Sequence, residues 1–232
     1  MKQKSRTEYS VMNTTVAFLA QTLAIFMGFF TRVVFTRTLS EGYVGINGLF
    51  TDILNILSLS ELGVGTAITY ALYAPIARRD IKKQQILMRM FRNFYRITAG
   101  FVVLAGLCLI PFLDILMKDR PDVNHLIIIY LLYLLNSVVS YLLIYKKTLV
   151  DAHQMNYITV MYHNGFLVLQ DILQIIVLFL TRNFILFLVI AVVCTIIGNI
   201  CMSRKADRLF PYLKEPCKEQ LPQEERHDIL RN

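Results

Sequence analysis

The chain has 232 residues, is 56% hydrophobic, lacks Trp and carries a net charge of +8. Six mostly apolar stretches, near 11–36, 44–70, 97–117, 124–145, 155–181 and 184–203, reach the roughly 20 residues needed to cross a hydrocarbon layer, which excludes a soluble domain and predicts an all-α polytopic membrane protein with six transmembrane helices. Nineteen Lys and Arg then fall on one side and only Arg37, Lys118, Arg120 and Arg182 on the other, so the basic charge marks cytoplasmic loops and termini and no nucleic-acid partner is expected.

Residues 1–10, MKQKSRTEYS, form a short basic N-terminus. The first span is too long for a removable signal peptide and has no small-residue cleavage site. Within it Thr14, Gln21, Gly28 and Arg32 follow steps of seven, seven and four, and because 18 residues make five whole turns they share one face. Such a stripe either packs on a neighbouring helix or lines a hydrated cavity with Arg32 as its charge. A turn over 37–43 faces outward. Gly42, Gly45 and Gly48 then open the second span at a spacing suited to close helix contact, and Thr51, Asp52, Asn55 and Ser58 continue as a polar face. Glu61 lies half a turn out of phase with Asp52, so the two cannot share a ligand. Arg32 and Asp52 sit at similar depth and can meet, either as a packing ion pair or as a charge that exchanges with a substrate. Gly63 and Gly65 predict a bend.

Residues 77–96, ARRDIKKQQILMRMFRNFYR, interleave Ile81, Ile86, Leu87, Met90 and Phe94 with Lys and Arg, predicting an amphipathic helix lying on the anionic inner leaflet. The third span is featureless apart from a bend expected at Pro111, and a polar crossing follows at 117–124. The fourth carries Tyr130, Tyr133, Ser137 and Ser140 on one hydroxyl-bearing face, and Tyr145-Lys146-Lys147 marks its cytoplasmic exit. The fifth places Asn156, His163, Gln170 and Gln174 along one line, with Asp171 beside it. Four such groups on one face need a polar neighbour or water. The sixth span is bland, and 204–232 reads as a cytoplasmic linker or tail, weakly helical over 223–231.

Chemistry-bearing motifs are missing. There is no HExxH, no GxSxG and no phosphate-binding glycine loop, and the four cysteines and four histidines show no metal-ligand spacing. The expectation is a protein that is not an enzyme and takes no cofactor or metal.

Three segments carry a resemblance. GYVGINGLFTDILNILSLSELGVGTAITYALYAPIARRD (42–80), LLYLLNSVVSYLLIYKKTLVDAHQMNYI (131–158) and TRVVFTRTL around Arg32 are similar to bacterial polysaccharide flippases of the multidrug/oligosaccharidyl-lipid/polysaccharide exporter superfamily, in the subgroup often labelled sugar translocase. The resemblance spans nearly the whole chain and implies a two-lobed protein of twelve to fourteen spans, of which this chain corresponds to the N-terminal six-helix lobe. The partner would be the C-terminal six-helix lobe or a second half-length chain, and the location the bacterial inner membrane. The implied cargo is an undecaprenyl-pyrophosphate-linked oligosaccharide. Arg32 would then receive the pyrophosphate through its planar fork, and Asp52 would hold Arg32 when the cavity is empty. Gln21, Asn55, His163, Gln170 and Gln174 would meet sugar hydroxyls. A cation-coupled drug exporter using Asp52, Glu61 and Asp171, and a non-transporting scaffold, are the alternatives.

Overall fold

The computed structural model describes residues 6–58, 64–117, 123 and 125–214. All regular structure among them is helical: α1 (Arg6–Thr38), α2 (Glu41–Ser58), α3 (Val64–Ala77), α4 (Ile81–Leu109), the short α5 (Leu113–Leu116), α6 (Leu126–Tyr141), α7 (Ile144–Ala152), α8 (Asn156–Thr181) and α9 (Phe184–Leu209). Five segments are long and apolar enough to cross a membrane, Val11–Thr38, Ile81–Phe112, Leu126–Ala152, Asn156–Thr181 and Phe184–Leu209.

Of the expected span 44–70, α2 and the first part of α3 are described, and 59–63 lie outside the described residues. Glu61 and Gly63, singled out in the sequence, lie outside the described residues. The basic stretch 77–96 is not a separate surface helix. From Ile81 onward it is the first half of α4, and its apolar face turns inward, burying Leu87, Met88, Phe91 and Tyr95. The start of α4 explains the continuity. Arg79 adopts φ 55, which reverses the chain after α3, and the Asp80 carboxylate then accepts from the Lys83 amide at 3.0 Å as an N-cap. At the far end, Pro111 falls in a 3-10 turn, Ile110–Phe112, because its nitrogen cannot continue the α-helical ladder.

Helix contacts are made by glycine where it is needed and by aromatic rings elsewhere. A Cβ on Gly106 of α4 would lie 2.4 Å from Leu134 Cδ1 of α6, and the buried Tyr130 hydroxyl donates to the Gly106 carbonyl at 2.7 Å. By contrast Gly28, Gly45 and Gly48 have open space around the position a Cβ would take, so the close contact expected of the second-span glycines is absent at Gly45 and Gly48. Phe35 of α1 and Tyr43 of α2 instead meet Phe184 of α9 at 5.5 and 5.2 Å between ring centroids. The helices α8 and α9 form a tight hairpin. Arg182 ends α8 in the left-handed region, and Asn183 Oδ1 accepts from the amides of Ile185 and Leu186.

The chain beyond the expected sixth span is held in place. α9 continues to Leu209, and a 3-10 turn, Pro211–Lys214, follows. Tyr212 donates to the buried Gln84 Oε1 at 2.5 Å, while Gln84 Nε2 donates to the Pro75 carbonyl at 3.2 Å. Gln85 Nε2 donates back to the Tyr212 carbonyl at 2.6 Å. Burial pushes the Tyr212 phenol up to about 12, so it remains a donor at neutral pH.

Candidate functional site

The fourth expected span breaks in its C-terminal half. α6 stops at Tyr141, Leu143 takes φ 71, and α7 restarts at Ile144. At the break the Leu142 amide donates to the Val139 carbonyl at 3.2 Å, and side chains of α9 bond to the same stretch. Asn199 Nδ2 donates to the Val139 carbonyl at 2.9 Å. Lys146, the first of the two lysines, turns inward to α9 and donates to Ser203 Oγ at 2.9 Å and to Asp207 Oδ2 at 2.7 Å. Irregular backbone at this depth is tolerated where it is covered by protein or lines a cavity, and here it does both.

A cavity of about 350 Å³ opens beside the break, walled by α6, α7, α8 and α9. Its polar lining includes Lys147, Tyr162, His163, Gln170 and Asn199, set among apolar residues such as Phe166 and Leu167. None of its lining residues is acidic. The Asp151 carboxylate, one turn beyond Lys147, stands behind the lining and accepts from the hydroxyl of the lining residue Thr159 at 2.6 Å. The cavity therefore combines one ammonium with an imidazole, amides and a phenol inside an apolar bundle. That set is chemically suited to an anionic or polyhydroxylated group and offers little to a cation.

The described residues proposed from sequence separate into four places. His163 and Gln170 line the cavity. Gln174 is 2% exposed and donates to the Phe187 carbonyl of α9 at 2.9 Å, while its own carbonyl oxygen accepts from Gln170 at 3.5 Å. Gln21 and Asp171 lie along the long α1–α8 seam. Gln21 accepts from the buried Asn164 at 3.4 Å, and Asp171 lies near Thr31, whose hydroxyl donates to the Met27 carbonyl at 3.0 Å. The same seam is closed at the N-terminal end of α1 by Asn13, whose amide donates to the Gln154 carbonyl and whose oxygen accepts from the Tyr157 amide. Arg32, Asp52 and Asn55 are exposed on α1 and α2. No ion pair joins Arg32 and Asp52 among the described residues, and the Arg32 guanidinium carbon stands 5.7 Å from the Phe35 ring centroid. Glu61 is outside the described residues.

Sequence reading missed Lys147, Asn199 and Asn164. The two lysines after Tyr145 look like an ordinary cytoplasmic exit, because no Gly or Pro at 142–143 announces a break. Asn199 sits alone in an apolar run. Its only signal is that a solitary amide deep in a span needs a partner.

At the α7–α8 corner, outside the spans, His153 stacks 4.4 Å from the Phe210 ring and its Nδ1 donates to the Leu149 carbonyl at 2.9 Å. Burial lowers its basicity, partly offset by that hydrogen bond. No three His, Cys, Asp or Glu side chains among the described residues are grouped to hold a metal ion.

No protein-family model, no curated protein and no solved structure matches this chain.

Proposed function

We propose that the chain is the N-terminal lobe of a flippase that moves an undecaprenyl-pyrophosphate-linked oligosaccharide across the bacterial cytoplasmic membrane. One observation carries the reading: the cavity beside the helix break offers Lys147, His163, Gln170 and Tyr162 and no carboxylate. A pyrophosphate-sugar head cannot cross hydrocarbon without replacing its water. An ammonium supplies charge-assisted bonds to phosphate oxygens, and amides and phenols suit sugar hydroxyls. The resemblance of 42–80 and 131–158 to polysaccharide flippases supports the same cargo.

The exposed Arg32, Asp52 and Asn55 support a second wall. Charges on spanning helices are costly unless they face protein or water, so this face of α1 and α2 is suited to a second six-helix lobe or a second copy, with a hydrated path between. Transport would then proceed by rocking one lobe against the other. A cation-coupled exporter fits less well, since such cargo calls for an acidic cavity and no acidic residue lines this one.

The test is equilibrium binding of a fluorescent undecaprenyl-pyrophosphate oligosaccharide to the purified chain in nanodiscs. Saturable binding is expected, with Lys147→Ala weakening it about tenfold or more, the size of one lost charge-assisted hydrogen bond. Equal binding of the uncharged polyprenol would remove the pyrophosphate from the reading.

A further inference from the structure

The helix break has a second side. Behind it, between α4, the α6–α7 junction and α9, lies another cavity of about 420 Å³. Its polar end is formed by Arg92 and Arg96, with Tyr145 beside them, and its walls by Leu142, Ile196 and Ile200. The two arginines are four residues apart on α4 and so project from one helix face. Both are exposed, and no carboxylate lines the cavity. Leu142, Ile196 and Ile200 are each more than a third exposed, so the apolar wall opens onto the surface of the bundle. The depth is informative as well. Arg96 immediately precedes the apolar run from Ile97, at the same level as the start of α7 and its two lysines, on the side where loop charge gathers.

We propose that this groove binds an anionic glycerophospholipid of the leaflet on the basic side, its phosphate on Arg92 and Arg96 and one acyl chain along Leu142, Ile196 and Ile200. A paired guanidinium fork matches phosphate oxygens. A basic pocket between spanning helices at headgroup depth is the arrangement that holds such lipids. The apolar, laterally open wall selects a lipid over a free anion, since inorganic phosphate gains nothing from it. The lipid would also cover the break from behind, opposite the cavity lined by Lys147. This inference is independent of the transported cargo.

Because the chain has no Trp, one introduced Trp reports on a single place. Ile196→Trp protein is reconstituted in phosphatidylcholine vesicles containing a minor fraction of either dibrominated phosphatidylglycerol or dibrominated phosphatidylcholine. Contact quenching should show a preference of about tenfold for the anionic lipid, the scale expected of two partly hydrated arginines. Leu104→Trp, eight residues further into the span on α4, should show no preference. Arg92→Gln with Arg96→Gln should abolish the preference, and the corresponding double Lys variant should keep most of it. Ile200→Trp is the alternative reporter if Ile196→Trp fails to fold. Equal quenching by the two lipids overturns the proposal, as does a preference that survives the double Gln change. Relief of quenching by millimolar inorganic phosphate would assign the arginines to a free anion and overturn it too.

Discussion

The Gln84 side chain is 4% exposed, and both ends of its amide are used, one on Pro75 and one on Tyr212. Tyr212→Phe removes a donor while leaving a buried acceptor behind, so it should cost about 1–3 kcal/mol. Thermal unfolding in detergent checks this, and Gln84→Leu with Tyr212→Phe should recover part of the loss. His153 gives a pH dependence whose sign can be worked out. Its folded form is less basic than the unfolded chain, so on acidification the unfolded state takes up a proton that the folded state resists. Stability should be full above the unfolded value of about 6.5 and fall as pH drops from there through the lower, folded value. His153→Gln should flatten that acid limb in melting curves. At Arg32, the absence of an ion pair to Asp52 separates two roles. A packing pair would tolerate exchange of the partners, whereas a phosphate contact would not. If the chain acts as proposed above, Arg32→Lys and the exchange Arg32→Asp with Asp52→Arg are expected to express normally and to export poorly, measured as protein level beside surface polysaccharide in a strain whose own flippase is deleted and replaced by a transporter containing this chain.

Single helices show why some of this was legible in the sequence and some was not. α8 and the start of α9 follow their apolar runs to within one or two residues, because Asn183 is a cap and long apolar runs have no competing state. The polar line Asn156–His163–Gln170–Gln174 was also readable as a line. Its division into cavity residues and a bridge to Phe187 was not, since that depends on how α9 leans across it. Glycine spacing misled for a similar reason. The regular Gly42–Gly45–Gly48 repeat looks like a contact face, yet Gly45 and Gly48 have no close neighbour, while the unremarked Gly106 touches Leu134. Gly106→Ala should therefore destabilise by about 1–3 kcal/mol through overpacking, with relief from Leu134→Ala in the same chain. Gly45→Ala, with nothing to displace, should be neutral or slightly stabilising, as expected for Gly to Ala in a helix. Paired melting curves of the two glycine variants make the comparison.

For the molecule as a whole, the all-helical class and the membrane-crossing character follow directly from the length of the apolar runs. Topology follows from the charge count and is open to test. On a background without native cysteines, Arg182→Cys at the α8–α9 turn should react with an impermeant maleimide on intact cells, and Lys82→Cys at the start of α4 should react only after lysis. The reverse pattern would invert the protein in the membrane. What composition could not convey is the inward turn of the apolar face of α4, which depends on tertiary burial: Leu87 and Phe91 find protein to cover them, so the segment has no need of a lipid surface.

Leu143 occupies a backbone conformation that glycine would adopt more cheaply, by about 1 kcal/mol, and its side chain lines the cavities on both sides of the break. Improvement of heat resistance and preservation of these two binding spaces therefore pull in opposite directions at one position. A screen that rewards survival on heating alone should enrich Leu143→Gly, and the enriched chains should lose ligand retention on both sides of the break at once.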